Sequence, residues 1–258
     1  MTAALDIRDA STFPSRRVEA WRYSDLRRLL REAPAPSGTA QVGAPGPFYD
    51  LGGEAIVFAN GRPVGVTDFI AGGEQTLRLR FISDATGTAH AASARVSARP
   101  GAKLLLLESH EGSGSAYLAH NRLELDVASG ADVTRIVLVE EPEDAMSVTE
   151  ARVRVEAGGV YRQTIVATGA RLQRLETQLT HGGEGAEVRM DGLYLLNGAR
   201  HVDMTTVADH VAPNGATSQL TKGVARDTGR GVFQGKIVVR RGADDTDARM
   251  GHHALIAS

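Results

Sequence analysis

Residues 229–237 read GRGVFQGKI, a glycine-rich stretch with a lysine directly after its last glycine. As a phosphate-binding loop it would make the chain an α/β nucleotide-binding protein; as a turn running into a strand it would belong to an all-β chain. A phosphate-binding loop needs G-x-x-x-x-G-K-[ST], because its backbone N–H groups curl around phosphate oxygens and the hydroxyl after the lysine holds magnesium. With Gly235 and Lys236 as the closing pair, the opening glycine falls on Arg230 and the hydroxyl position on Ile237. The pattern fails at both ends. The glycines read instead as turn residues, with a short strand from Lys236 to Arg240 before the next turn at Gly242.

The chain upstream is written in the same way. From about residue 96, β-rich runs (KLLLLE, NRLELDV, VTRIVLVE, ARVRVEA, VYRQTIVAT, LQRLETQLT, AEVRMDGLYLL) alternate with glycine turns, and no helical periodicity interrupts them. A Gly-Ala pair recurs at 101, 130, 169, 185, 198, 215 and 242, with spacings of 29, 29, 30 and 27 between members of the series. Short strands and glycine turns at a fixed period point to a solenoid whose coils stack on one continuous core. A β-sandwich also contains many short strands. About 160 residues of repeat supply too many strands for one sandwich, however, and a run such as LLLL suits strands enclosed on both sides. The strict hexapeptide rhythm of left-handed β-helices is absent, so the expected fold is an all-β, right-handed parallel β-helix.

A short helical segment is expected before it. In STFPSRRVEAWRYSDLRRLLRE, Leu26, Leu29 and Leu30 follow helical spacing, Val18 and Trp21 stand three apart, and Ser24 or Asp25 can cap. Prolines at 34, 36, 45 and 47, with glycines between them, then read as a linker. The organisation expected is residues 1–48 as helical segment and linker, 49–95 as a small mixed α/β lead-in, and 96–258 as the β-helix. Within the lead-in, Asn60-Gly61 marks a hairpin turn, residues 77–81 (LRLRF) a strand, and roughly 84–95 a helix.

Composition narrows the function. The chain carries a formal charge of −2 and a pI near 6.5, unlike a general nucleic-acid binder. Its basic residues are almost all arginine, the lysines being Lys103, Lys222 and Lys236, and many fall on solvated strand faces, as do Arg152 and Arg154. There is no cysteine, which removes a disulfide framework, a thiol nucleophile and any thiolate-held metal made by this chain alone. MTAALDIRDA is not a secretory signal, and no apolar run approaches the roughly 18 residues of a membrane span, so a cytoplasmic protein without membrane contact is expected.

Histidines are the available soft metal ligands: His181, His201, His210 and the pair His252-His253 lie in or near the repeat, where stacking could align them. Solvated or hydrogen-bonded histidines account for them better, and Asp209-His210 reads as a hydrogen-bonded pair that orders a turn. The acidic stretches from Glu140 to Asp144 and from Asp244 to Asp247 lack the spacing of a calcium loop and read as charged loop tips. Trp21 and Tyr23 are either a partner-binding face or a face buried against the β-region. No hydrolase elbow G-x-S-x-G is present. No residue is therefore assigned as catalytic or metal-binding, and the cofactor-binding residues are unknown.

The segment FPSRRVEAWRYSDLRRL (residues 13–29) resembles the N-terminal signature of the SufD family of iron–sulfur cluster assembly subunits. Residues 206–258, from TVADH to HHALIAS, are similar to the core shared by SufB and SufD, with its Asp-His, Lys-Gly, Phe-x-Gly-Lys-Ile and Thr-Asp-Ala pattern. SufD is favoured over SufB because the N-terminal cysteines usual in SufB are missing. The resemblance implies a right-handed parallel β-helix, in which GRGVFQGKI is a turn and a strand of one coil. It implies a non-catalytic scaffold that pairs with a SufB-like subunit and a SufC-like ATPase, that binds no cofactor by itself, and whose complex yields an iron–sulfur cluster as product. The family pattern continues past the end that LIAS resembles, through a Cys-x-His element and a helical domain. The chain is therefore expected to lack the C-terminal segment, to offer an open coil end for self-association, and to inherit none of that segment's residue roles. The other functions compatible with the residues are a β-helix enzyme or binding protein acting on polysaccharide, disfavoured by 5% aromatic content and a single tryptophan, and a self-associating structural solenoid.

Overall fold

The computed structural model describes residues 5–257. Sixteen strands make up nearly all of the regular structure: β1 (Glu54–Ala59), β2 (Arg62–Pro63), β3 (Asp68–Ala71), β4 (Glu74–Ser83), β5 (Ala89–Ala98), β6 (Lys103–Gly112), β7 (Leu118–Val127), β8 (Asp132–Glu140), β9 (Met146–Val155), β10 (Val160–Ala167), β11 (Leu172–His181), β12 (Glu187–Leu196), β13 (His201–His210), β14 (Ala216–Arg226), β15 (Arg230–Val239) and β16 (Asp247–Ala257). They form a parallel β-solenoid. Even-numbered strands from β4 to β16, with β1 and β2 added at one edge, build a nine-stranded sheet in the order β16-β14-β12-β10-β8-β6-β4-β1-β2; odd-numbered strands build a seven-stranded sheet, β15-β13-β11-β9-β7-β5-β3. The chain crosses from one sheet to the other and back in each coil. Register partners are one coil apart: 29 residues between Leu77 and Leu106, 26 between Met146 and Leu172.

The repeat in the sequence has a local cause. Of the seven Gly-Ala glycines, Gly101, Gly130, Gly169, Gly185, Gly198 and Gly242 turn the chain with φ between 59° and 88°, a region open to glycine at little cost. At the seventh site Asn214 takes the left-handed conformation (φ 59°), and Gly215 serves closeness instead, since a Cβ there would lie 2.8 Å from Nδ1 of His210. The alanine after the glycine is small enough to tuck inward, and Ala102, Ala131, Ala170, Ala186 and Ala243 are all buried.

Alternation then builds the core. Leu77, Leu79, Leu104, Leu106 and Val133 of one sheet meet Val96, Leu125, Val127, Val153 and Leu179 of the other in a single buried cluster. At about 25 cal/mol per Å² of apolar surface removed from water, this continuous core is the main favourable term in folding.

Three expectations change. Residues 84–95, expected as helix, lead into and enter β5. Alanine has high helix propensity, but Ala92, Ala94, Val96 and Ala98 alternate inward, and strand pairing to β3 and β7 overrides the propensity. The segment 49–95 is accordingly not a mixed α/β unit: β1 pairs with β4 and β3 with β5, so these strands are the first courses of the same array. The hairpin at Asn60-Gly61 forms as expected, with φ of 45° and 77° at its two central residues. The N-terminal helical character amounts to single 3-10 turns at Ala10–Thr12 and Glu19–Trp21 and one four-residue helix, α1 (Leu26–Leu29), capped by Asp25 accepting from Arg28 N–H at 2.9 Å.

The third change concerns GRGVFQGKI itself. The strand starts at Arg230 rather than Lys236, leaving only Gly229 in the turn. Gly231 and Gly235 are strand residues whose missing side chains leave room for neighbours. A Cβ on Gly231 would lie 2.4 Å from the Tyr194 ring, and one on Gly235 would lie 2.5 Å from Sδ of Met250. Gly223 of β14 meets the same ring, its added Cβ lying 1.9 Å from Tyr194 Cζ. Replacing Gly223 or Gly231 by alanine is therefore expected to cost about 1–3 kcal/mol through overpacking. Adding Tyr194→Leu should restore part of it, giving a favourable coupling in a chemical-denaturation double-mutant cycle. Additive losses would show that the ring does not set the glycine requirement.

Candidate functional site

The N-terminal segment lies on the outer face of the seven-stranded sheet. Leu5, Ile7, Phe13, Trp21 and Leu26 are buried there against Ala89, Leu118, Met146, Val148 and Leu172, outward residues of β5, β7, β9 and β11. At its far end it covers an ion pair. Arg174 on β11 and Asp203 on β13 are register neighbours that point outward, and both are fully buried beneath the segment. Arg174 donates to Asp203 Oδ2 at 2.6 Å and to Glu176 Oε2 at 2.9 Å, and its guanidinium carbon lies 4.3 Å from the centre of the Trp21 ring. The Ser24 hydroxyl donates to the same carboxylate oxygen of Asp203. From β15, Gln234 Nε2 donates to Asp203 Oδ1 at 3.2 Å and to the Ala20 carbonyl at 3.3 Å. The indole face attracts the cation electrostatically while excluding water, which strengthens the ion pair beneath it. This arrangement decides between the two readings of the aromatic pair: Trp21 is buried against the β-region, whereas Tyr23 stays exposed.

A second charged cluster lies between the sheets. Arg135 of β8 makes a two-point ion pair with Glu108 of β6, through Nε and Nη2 at 2.9 Å each, and donates to Gln163 Oε1 at 2.8 Å. Gln163 Oε1 also accepts from the Tyr161 hydroxyl, and His110 Nε2 lies 2.8 Å from Glu108. Burial alone would raise the Glu108 carboxyl, but the Arg135 charge and the His110 contact overcome it and hold the group down to about 2.

The candidate histidines are spread over several places in the fold. His181 and His210 stack in register, ring centres 3.9 Å apart, and their Nε2 atoms share the Thr217 hydroxyl at 2.8 and 3.0 Å. A shared hydroxyl can donate to only one of them, so the neutral pair uses opposite tautomers. Burial lowers His181 to about 4, with the His210 neighbour adding to the effect, and burial likewise lowers His210. His201 is buried elsewhere, and His252 contacts the Tyr194 hydroxyl at 2.9 Å while His253 is exposed. Among the described residues no group of three or more His, Asp or Glu is placed to hold a metal ion.

Asp209-His210 is not a hydrogen-bonded pair. Consecutive strand residues face opposite sides, so His210 points inward while Asp209 points outward to Arg240, with contacts of 2.8 and 2.9 Å. Of the acidic stretches, Glu141 is an internal acceptor for Ser147 Oγ and Gln173 Nε2, at 2.5 and 2.8 Å, and the Asp244 carbonyl accepts from Asn214 N–H. Sequence reading missed Arg174, Asp203, Glu108 and Arg135. For Arg135 a signal existed: it shares its alternation with Val133, Val137 and Val139, which places it on the buried face.

Residues 81–258 match the family described as SUF system FeS cluster assembly, SufBD core domain. The chain belongs to the SufBD core family. An iron–sulfur cluster assembly SufBD family protein of Synechocystis is 27% identical over 135 residues, 52% of this chain and 30% of that protein. SufBD family proteins of Mycobacterium bovis and Mycobacterium tuberculosis are 22% identical over 145 residues, 54% of this chain and 36% of theirs. The matched stretch thus spans about a third of each curated relative's length, 30% to 36%. The SufBD core match begins within β4 and covers all the strands that carry the buried ion pairs. Among the described residues, no helix is long and apolar enough to cross a membrane.

Two outcomes follow from this geometry. Asp203→Asn removes the fully buried counter-charge of Arg174, leaving only the part-exposed Glu176 beside it, and should destabilise the protein by up to about 3–5 kcal/mol. Because Trp21 is the one tryptophan in the chain, release of the segment should appear as a red shift of its emission at denaturant concentrations below the main transition. An unchanged midpoint would mean that the ion pair does not hold the segment.

The second outcome concerns acid. Burial lowers His90, His181 and His201 to about 4 each, against about 6.5 when unfolded. The unfolded chain takes up protons that the folded chain refuses, so stability falls as pH drops from about 6.5 to about 4, by up to about 1.4 kcal/mol per pH unit for each histidine. Glu108 has the depressed pKa of a paired carboxylate, and its contribution is lost further down, from about 4.5 towards about 2. Denaturation curves at pH 7, 5.5 and 4.5 test the histidine window, and a flat profile between pH 7 and 5 would contradict it.

Proposed function

We propose that this chain is a SufD-like, non-catalytic scaffold subunit of cytoplasmic iron–sulfur cluster assembly, acting with a SufB-like subunit and a SufC-like ATPase. The observation that carries the reading is the SufBD core match over residues 81–258. The choice of SufD within that family rests on the N-terminal segment. The stretch that resembles the SufD signature contains the residues that cover the buried ion pair, with Trp21 over Arg174 and Ser24 on Asp203. ATP hydrolysis is assigned to the partner because GRGVFQGKI, the closest approach to a phosphate loop, runs from a turn at Gly229 into strand β15, with Gly231 and Gly235 fitted to Tyr194 and Met250. The iron–sulfur cluster is then cargo built by the assembled complex, with no group on this chain alone assigned to hold it.

Copurification tests the reading. The chain, tagged, is expressed with SufB-like and SufC-like proteins from the same source, beside a version extended by a family-type C-terminal continuation. Retention of both partners by the extended version is the expected result. Retention by residues 1–258 as well would place an interface on the solenoid body or the N-terminal segment. Failure of both versions to hold either partner would sink the SufD reading, and growth of mass with concentration in light scattering would then favour a self-associating solenoid.

A further inference from the structure

The N-terminal segment covers only part of the outer face of the seven-stranded sheet. Beside it runs a groove of about 880 Å³, walled on one side by Leu5, Pro14 and Trp21 and floored by outward residues from β5 to β15. The floor carries charges of both signs, but they are not equally engaged. Glu124 is paired with Arg95 at 3.0 Å, Glu150 contacts His120 and Arg122 at 3.3 and 3.7 Å, Glu176 holds Arg174, and Asp209 binds Arg240 through both oxygens. Each carboxylate in the groove therefore has a cationic or imidazole partner from the chain itself. Arg152 and Lys236 line the same groove, are exposed, and have neither an ion pair nor a side-chain hydrogen bond among the described residues. Arg174 is shared between Glu176 and Asp203, and the nearby Arg152 charge helps to lower Glu150, so the excess is small, but its sign is cationic although the chain as a whole is slightly acidic.

The two free cations are also in line. Arg152 on β9 registers with Gln178 on β11, Gln178 with Val207 on β13, and Val207 with Lys236 on β15. Three inter-strand steps separate them, roughly 14 Å at about 4.8 Å per step. An extended chain rises about 3.3 Å per residue and turns alternate side chains to one side, so residues i and i+4 face the same floor roughly 13 Å apart. The residue between them, i+2, comes to lie midway between Gln178 and Val207.

We propose that this groove is a docking site for an extended acidic segment of a partner protein. The segment crosses the strands beside the N-terminal segment, carries carboxylates four residues apart over Arg152 and Lys236, and has an aliphatic residue midway. The proposal does not depend on the SufD reading, since it uses only the geometry of the outer face.

The test uses the whole chain and the fluorescein-labelled peptide SESVSES, with SQSVSQS and SKSVSKS as controls. In fluorescence anisotropy SESVSES binds, the controls do not, and binding weakens between about 50 and about 500 mM salt as expected for solvent-exposed charges. Trp21 lines the groove, so its emission should change on addition of unlabelled SESVSES and not of SQSVSQS. Arg152→Glu and Lys236→Glu each weaken binding by roughly tenfold or more with an unchanged circular dichroism spectrum, because both side chains are exposed. The double variant R152E/K236E should accept SKSVSKS instead, a gain that a merely damaged surface would not produce. Equal binding of SQSVSQS, indifference to either charge reversal, or a double-stranded oligonucleotide that binds as tightly and is weakened equally by the variants would each overturn the proposal.

Discussion

Every coil of this solenoid is hydrogen-bonded to the coils before and after it in parallel register, and that constraint governs the rest of the molecule. Because side chains alternate along a strand, register fixes not only backbone pairing but which residues stack. Once Phe81 is set opposite His110, the row through Leu77 and Leu106 follows without further choice, and the register of β5 with β7 likewise sets Val96 opposite Leu125 in the other sheet. The core is correspondingly a set of ladders rather than a three-dimensional jigsaw. A bulky residue in one coil has to be accommodated in the next, as the Tyr194 ring is by Gly223 and Gly231. The aromatic hydroxyl then reaches His252 on β16, so one large side chain links three consecutive courses of the array.

A stack of this kind is coupled only to nearest neighbours, and the N-terminal segment departs from that rule. It touches Ala89 on β5 through the bridge to Pro36 and reaches β15 through Gln234 and the Ala20 carbonyl. Two residues 16 apart in sequence, Ala20 and Pro36, are thereby tied to strands separated by five inter-strand steps. Packing of Leu5, Phe13, Trp21 and Leu26 contributes apolar burial along that path, while the Arg174–Asp203 pair gives the far end a specific anchor. An ion pair on an outer face would be worth little in water. Under Trp21 it is dry, and removing one partner costs far more than the exposed pair would contribute.

The solenoid was legible because its two local determinants are both written in residue types. Glycine at a left-handed φ and a small alanine behind it mark many of the turns, and alternation marks the strands, so the Gly-Ala spacing near 28 measures one coil. What stayed illegible depended on which neighbour a coil meets. The strand at 89–98 carries alanines that favour a helix in isolation, and only pairing on both sides makes it β5. Asp209 and His210 are adjacent in sequence yet separated by the sheet, and Arg174 and Asp203 are distant in sequence yet in contact. Fourier-like periodicity could flag Arg135 as inward, but nothing in one sequence names Glu108 as its partner.

The buried polar residues answer a difficulty that repetition creates. An array of near-identical apolar ladders could shift by one coil and still bury leucine against valine, since Leu79, Val137 and Ile165 occupy one row and are interchangeable in kind. The row also contains Glu108, whose partner Arg135 comes from the neighbouring row one coil on. A slip of one coil would set that carboxylate against an aliphatic side chain and strand the guanidinium, at a cost of several kcal/mol for each uncompensated buried charge. The His181–His210 stack on Thr217 adds a second position-specific match near the other end of the array, and Arg174 with Asp203 adds a third on the outer face. Apolar ladders drive the coils together; these few polar contacts, each available to one alignment, distinguish that alignment from its translated copies.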